Sequence, residues 1–404
     1  DVRWQLAHAP SSGEPEEVVL FLFGRDTTDE NAAAARQRQN EKLAAVGTLA
    51  AGLAHEIRNP LNGAQLHVTF LERSLRKAGL DTMSEAESVA FLEKLFAERI
   101  VVLDNLVFGH RDALPMDRVT FIEGEMADAA LLERLFAEHK PEAVLHFAAF
   151  AYVGESVTDP LKYYRNNLAA PLALLEAMQR HGCKRFIFSS TCATYGDPVR
   201  IPIDETHPQA PVNPYGASKW MLERVLRDCE RAWGLKAVFL RYFNASGCHP
   251  SGEIGEDHNP ETHLIPLVLQ AATGQRPHIT VFGTDYPTPD GTCIRDYIHV
   301  CDLASAHALA LNYLREGGDT IAINLGTGRG FSVKEIIATA EVVTGKTIPV
   351  VYGERRAGDP SELVADPALA AKVIGWKAAH LDPREHIESA WKWMTGPCGG
   401  RYAD

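Results

Sequence analysis

Six short apolar runs, alternating with helical stretches, constrain the fold of this chain more than any other feature. The runs lie at 99–104, 119–122, 143–147, 185–190, 237–242 and 320–325, with helical patterns at 128–138, 158–181 and 215–233. Runs of this length with few polar interruptions read as strands buried on both faces. The strand–helix alternation makes them parallel and covers them with helices. The expected class is therefore α/β, a doubly wound parallel sheet, which binds ligands outside the carboxyl ends of its strands. Asp104 closes the first run. It is the candidate carboxylate for a ribose 2′-hydroxyl, which would select NAD over NADP; a plain turn residue before Asn105 is the alternative. From about Ser246 the texture loosens into loops at 247–253 and 284–291, rich in Gly, Pro and His. Long ordered loops carry substrate, so a smaller C-terminal substrate domain is expected.

The chemistry is concentrated at Tyr215-Gly216-Ala217-Ser218-Lys219, preceded by Phe188-Ser189-Ser190-Thr191 at the end of an apolar run. A tyrosine and a lysine four apart on a helix share one face. A phenol beside a fixed ammonium ion titrates below its usual value of about 10, because the cation favours the phenolate. This predicts Tyr215 as a base near neutral pH. The Thr191 hydroxyl would reach the same substrate oxygen. Together these groups suit the removal of a proton from an alcohol undergoing oxidation. The pattern alone also fits an amphipathic helix with a surface lysine.

Composition excludes several other classes. A net charge of −13 disfavours a broad nucleic-acid or acidic-membrane surface. The seven cysteines are scattered, odd in number and without a C-x-x-C pair, which argues against a disulfide framework or zinc site and for a reducing, cytoplasmic setting. His249, His263 and His299 match no zinc spacing, and no metal is expected. No apolar run approaches the ~18 residues of a membrane span. The chain opens on Asp1-Val2-Arg3-Trp4 without a signal peptide, as a processed or excised fragment would.

Many linked motifs then point one way. They include Leu103-Asp104-Asn105-Leu106, His146-Phe147-Ala148-Ala149, Val153-Gly154-Glu155-Ser156, Tyr163-Tyr164-Arg165-Asn166-Asn167, Asn213-Pro214-Tyr215-Gly216, Arg241-Tyr242-Phe243-Asn244, Arg295-Asp296-Tyr297-Ile298-His299 and Arg355-Arg356-Ala357-Gly358-Asp359. From about Arg99 onward the sequence resembles the UDP-glucose 4-epimerases of the extended short-chain dehydrogenase/reductase family. The resemblance implies a Rossmann-like domain at 86–243, a UDP-sugar-binding domain at 244–396 and a tail at 397–404. It implies a catalytic set of Tyr215, Lys219 and Thr191. NAD would lie against Asp104, Asn105, Glu125, Met126, Phe147, Ala148, Asn167, Tyr215, Lys219 and Tyr242. The UDP-sugar would lie against Thr191, Asn244, His263, Leu264, Arg295, Arg356 and Asp359. The arginines suit phosphate oxygens, and Asp359 suits a ribose diol. Related dehydratases and decarboxylases carry acidic residues just after the catalytic hydroxyl; Cys192 and Ala193 stand there instead, which leaves epimerisation. Leu363 occupies the position that screens N-acetyl groups and is intermediate in size. A homodimer through the 158–181 and 215–233 helices is also implied.

The resemblance breaks at the N-terminus. The family opens with a strand and a Gly-rich turn that brings backbone amides to the pyrophosphate, yet residues 81–104 contain no glycine. The first βα unit is therefore expected to be missing, with exposed sheet edges, weak NAD retention and low turnover. In its place, residues 1–85 resemble a sensor histidine kinase. Val18–Phe23 resembles the last strand of a PAS domain, and Ala54-His55-Glu56-Ile57-Arg58-Asn59-Pro60-Leu61 resembles the phosphoacceptor box of a dimerisation helix. His55 is the possible phosphoacceptor, lying opposite a stripe of Leu43, Val46, Leu49, Leu53, Ile57 and Leu61; a solvated helix histidine would lie there too. No ATP-binding domain follows. The simplest organisation is a fusion of a kinase fragment to a truncated epimerase. Pairing of Val18–Phe23 into the sheet as a substitute first strand, with Gly24 opening the turn, is the lesser alternative.

Overall fold

The computed structural model describes residues 18–23 and 99–403, except 117, 357 and 358. In chain order the strands are β1 (Val18–Phe23), β2 (Arg99–Asp104), β3 (Val119–Glu123), β4 (Pro141–His146), β5 (Arg185–Thr191) and β6 (Lys236–Tyr242). They continue with β7 (Asn244–Ser246), β8 (Ile279–Phe282), β9 (Ile294–His299), β10 (Ile321–Leu325), β11 (Gly330–Ser332), β12 (Val350–Gly353) and β13 (Glu362–Leu363). Seven of them form one sheet in the order β10-β6-β5-β4-β1-β2-β3. Every neighbouring pair in it is parallel. The order reverses direction between β1 and β4. That crevice is the topological switch point, where such sheets take a dinucleotide at the carboxyl ends of the strands.

The first strand is not missing. Val18–Phe23 pairs along its length with β2, from Val18 opposite Arg99 to Phe23 opposite Asp104, and on its other side with β4. The physical reason lies in its composition. Val-Val-Leu-Phe-Leu-Phe is a continuous apolar run, as a strand covered on both faces requires, and β2 and β4 would otherwise each leave a row of backbone groups unpaired. The strand therefore belongs to this sheet rather than to a separate PAS-like unit, and the expected exposed edges are filled.

Side chains alternate between the two faces of the sheet, as the period of a strand dictates. Val101, Leu103, Val144, Phe186, Phe188 and Phe239 pack on one side with Leu132, Phe136, Leu174, Met178, Leu222 and Leu226. Val102, Leu145, Ile187, Val238, Leu240 and Ile323 pack on the other with Leu303, Leu311 and Trp376. The helix expected at 128–138 runs Ala129–His139, started by the Asp128 carboxylate, which accepts from the Ala130 and Leu131 amides. The single helix expected at 158–181 is broken. It divides into Pro160–Tyr164, a π-helical turn Arg165–Ala169 and Ala170–His181. Each of the flanking helices begins with a proline in its first turn, where the missing amide costs nothing.

Beyond β6, β9 gathers β7, β11 and β13, while β8 pairs with β12. The helices Leu264–Thr273, Val333–Thr344 and Pro383–Thr395 close a third core around Val268, Leu269, Ile336 and Trp393. Among the described residues, no helix is long and apolar enough to cross a membrane.

Candidate active site

Thr191 ends β5 at the carboxyl edge of the sheet, and Tyr215 stands in the first turn of the helix Pro214–Trp233. That helix is started by Asn213, whose side chain accepts from the Gly216 amide at 2.8 Å, and by Pro214 at its first position. Gly216 is required by the packing. A methyl group there would run into the carbonyl oxygen of Ala193, so the helix start rests directly on the backbone just beyond Thr191. This approach brings the Thr191 hydroxyl beside the Tyr215 phenol, close enough to offset part of the upward push of burial on it. The two expected catalytic hydroxyls are together.

Lys219 is arranged differently from the sequence expectation. Its Nζ donates to the Ser189 carbonyl oxygen at 2.8 Å and lies 4.9 Å from the centre of the Phe188 ring. Burial pulls its pKa down to about 7. The Tyr215 phenol is pushed up by burial and by the neighbouring Tyr242 phenol, while the Thr191 hydroxyl pulls the other way. The expected lowering of Tyr215 by Lys219 is therefore not realised in this arrangement: the ammonium is committed to a backbone carbonyl one strand away.

The residues expected around a dinucleotide fall along the same edge. Asp104 is buried at the end of β2, and its Oδ1 accepts from the Leu106 amide at 2.7 Å. Leu106 sits at φ 59. The Asp104 carboxylate thus stabilises its own turn as well as facing the crevice end of the strand. Asn105 and Glu125 meet directly, with Asn105 Nδ2 donating to Glu125 Oε1 at 2.9 Å. Met126 is in the core rather than at a surface. Phe147 and Ala148, just past β4, are buried, with the Phe147 ring 4.8 Å from that of His307. Tyr242 ends β6, with Ser189 near enough to its phenol to offset part of the upward push of burial. Asn167 sits in the π-helical turn and clamps Phe150 from both sides, accepting from its amide at 2.8 Å and donating to its carbonyl at 2.9 Å. It also donates to Ser218 Oγ at 3.2 Å, which ties the loop after β4 to the catalytic helix. A carboxylate at the end of β2, buried backbone beyond β4 and an ammonium at the end of β5 suit the two ends of a dinucleotide. Gly24, which follows β1, lies outside the described residues.

The second expected set lies on β7, β9 and the loops around them. Asn244 opens β7 opposite Tyr297, and Leu363 pairs with Arg295 in register. Arg295 donates to the Asp359 carboxylate and, at 2.8 Å, to the Pro360 carbonyl. The phosphate and ribose partners implied by resemblance are thus an ion pair here. Arg356 lies 4.0 Å above the Phe282 ring. His263 precedes Leu264, the first residue of the helix Leu264–Thr273.

A network that the sequence reading missed lies beneath Thr191. Glu223 and Arg241 form a buried ion pair at 2.6 Å. Ser190 Oγ donates to Glu223 at 2.6 Å, and Arg241 donates to the Tyr195 hydroxyl at 3.0 Å. The signal was available: Tyr215, Lys219 and Glu223 recur every four residues on one helix face. His55 and its phosphoacceptor-like box lie outside the described residues.

Residues 86–326 match the NAD dependent epimerase/dehydratase family. The UDP-glucose 4-epimerase of Lacticaseibacillus casei is 50% identical over 296 residues, 73% of this chain and 89% of that protein. That of Streptococcus mutans is 51% identical over 299 residues, 74% of this chain and 90% of that protein. The crystal structure of UDP-glucose 4-epimerase from Brucella ovis in complex with NAD superposes with a TM-score of 0.71 at 51% identity, covering 73% of this chain and 90% of that one. The enzyme from Bifidobacterium longum in complex with NAD+ and UDP gives 0.71 at 40% identity, covering 75% and 93%. On the sheet order, the catalytic edge and these likenesses together, the chain belongs to the NAD dependent epimerase/dehydratase family.

Proposed function

We propose that this chain is an NAD-dependent UDP-sugar 4-epimerase that interconverts UDP-glucose and UDP-galactose through a 4-keto sugar. The observation that carries the reading is the Thr191–Tyr215 hydroxyl pair at the carboxyl edge of the sheet. It suits an alcohol that must lose its proton as its carbon is oxidised. Tyr215 takes the proton of the sugar 4′-hydroxyl, and Thr191 shares the same oxygen. Burial keeps the Tyr215 phenol protonated as it stands, so it serves as the base only when Lys219, brought to about 7 by burial, leaves the Ser189 carbonyl and turns its charge to the phenol. NAD, when bound, would supply the acceptor and donor for the 4′-hydride. Asp104 would hold the ribose of the cofactor. Arg295, Arg356 and Asp359 would hold the diphosphate and uridine ribose, with the Arg295–Asp359 pair opening to receive them. Cys192 and Ala193 beside Thr191 provide no acid for elimination.

The test is NAD content by acid release, followed by a coupled assay with UDP-galactose. About one NAD per chain and turnover of the sugar are expected; a protein that neither carries nor takes up NAD would sink the reading. The same assay with UDP-N-acetylglucosamine asks whether Leu363 screens the larger group. A homodimer is supported by Val157, Leu161 and Leu172, which stand exposed on the helices at 153–158, 160–164 and 170–181. Light scattering should give twice the chain mass, and a monomer that retains full activity would refute the dimer. Seven cysteines, none in a disulfide, support a reducing, cytoplasmic setting.

A further inference from the structure

Between β7 and the helix Leu264–Thr273, the loop folds four ligand-type side chains onto one point. Glu256, His258, Glu261 and His263 each direct a carboxylate oxygen or imidazole nitrogen into a group whose members all lie within 4.8 Å of one another. Glu256 Oε1 is 3.0 Å from His258 Nδ1 and 2.7 Å from His263 Nδ1. Glu261 lies 3.5 Å from His258 Nδ1 through Oε2 and 2.9 Å from His263 Nδ1 through Oε1. For a tetrahedral cation with ligands about 2.0–2.1 Å away, neighbouring ligand atoms stand roughly 3.3 Å apart. The four separations run from 2.7 to 3.5 Å, so the cluster would open by a few tenths of an ångström around an ion.

Protons on the imidazoles could also bridge these carboxylates, and at Glu261 one does: His263 Nδ1 and Glu261 Oε1 have hydrogen-bond geometry. At Glu256 the two approaches are short but poorly directed for such a bridge. Its side chain is only 8% exposed, yet Oε1 has no hydrogen-bond partner despite its two short approaches. Nitrogen and oxygen atoms that crowd together without pointing at each other are what ligands of a shared central ion look like. Charge agrees as well: two carboxylates and two neutral imidazoles balance a divalent cation. The chain spacing Glu-x-His-x-x-Glu-x-His hides the site from a search for cysteine-based or paired-histidine patterns. Spacing alone ranks His263 with His249 and His299 as matching no zinc pattern, but the fold groups it with other partners.

We propose that Glu256, His258, Glu261 and His263 bind one divalent transition-metal ion of the zinc class in a closed structural site. Two imidazoles and two carboxylates suit zinc better than magnesium or calcium, which prefer all-oxygen shells. Four protein ligands leave no open position, so the ion acts structurally. It staples the loop to the start of the helix at Leu264. The Tyr152 ring stands edge-on to His258 at 6.2 Å, so the staple also joins the substrate half of the chain to the segment following β4. His263, 35% exposed, gives the ion its way in.

The experiment uses the full chain with its bound nucleotide, stripped of divalent ions by a chelator and shown to be folded by circular dichroism. Zinc is titrated by calorimetry, and cobalt is added as a spectroscopic stand-in. One equivalent of zinc, strong visible bands of four-coordinate cobalt and an upward shift in Tm with zinc are expected, all lost in Glu256→Gln and His258→Asn. No saturable uptake by the folded parent overturns the proposal and leaves a proton-bridged cluster. Equal uptake by the variants overturns it too, by placing the ion elsewhere. Should the variants fail to fold, the cobalt spectrum of the parent decides, since weak six-coordinate bands contradict a closed tetrahedral site. The readout is metal rather than turnover, so it stands or falls separately from the epimerase reading.

Discussion

At the scale of single residues, the site depends on two hydroxyls held together by a glycine. Tyr215→Phe removes the proposed proton acceptor and leaves the ring. A positioned general base is worth about 10²–10⁴-fold, so kcat should fall by that range while NAD content stays at the parent level. A variant within threefold of the parent would dismiss Tyr215 as the base. Gly216→Ala tests positioning instead. Its methyl group would meet the Ala193 carbonyl, forcing the first turn of the catalytic helix away from Thr191. A displacement of about 1 Å can cost 10²-fold, so a kcat loss of roughly that size is expected, larger than any change in KM. Unchanged kinetics would mean that the helix start tolerates the shift. Tyr215, Lys219 and Thr191 were legible as a set because helical spacing and position at a strand end are local properties. Where the Lys219 ammonium points was not legible. That depends on the Ser189 carbonyl, thirty residues away in sequence and 2.8 Å away in space.

At the scale of elements, β1 is the decisive one. Leu20 pairs with Val101 on one side and with Val144 on the other. Proline there would remove a ladder donor from the middle of a central strand, a position where proline is essentially not found. Leu20→Pro is expected to lower Tm sharply and to abolish NAD retention, since the crevice between β1 and β4 would lose one wall. Wild-type melting and NAD content in that variant would return the six residues to a separate N-terminal unit. The other six strands of the seven-stranded sheet were readable within a residue or two because parallel central strands are continuous apolar runs. β1 has the same character, but the missing glycines and the long interval before Arg99 argued against it. The break in the helix expected at 158–181 was hidden as well, because a π-helical turn changes the hydrogen-bonding register without changing the apolar pattern.

At the scale of the whole molecule, buried imidazoles set the acid limit. Burial pulls His146 down to about 3 and His307 and His386 to about 4. It also holds His299 well below the usual range, with the His386 and His380 imidazoles pushing the same way. Each stays neutral in the folded protein while the unfolded chain protonates near 6.5. Below 6.5 the unfolded state therefore binds more protons, and stability falls as pH drops. The loss runs from about 6.5 towards 4 and is nearly absent above 6.5. Each such histidine contributes roughly 1.4 kcal/mol per pH unit within that window. Urea midpoints measured at pH 7.0 and 5.0 should differ clearly, and His386→Phe should flatten the slope. A midpoint independent of pH between 7 and 5 would contradict the burial of these rings as neutral groups.

The sequence by itself determined the fold class, six strands of the main sheet and the residues of the candidate site. These follow from apolar runs, helical spacing and short motifs, which are written within a few residues of one another. Only the tertiary structure decided three other matters. It made Val18–Phe23 the central strand, because pairing partners are chosen by the unfilled ladders of β2 and β4 rather than by sequence distance. It joined Glu223 to Arg241 beneath Thr191, and Arg295 to Asp359 across the substrate region. It turned Lys219 from the phenol to a backbone carbonyl. In each case the deciding partner is distant in the chain, and a charge or a backbone donor binds whichever partner the fold brings within reach.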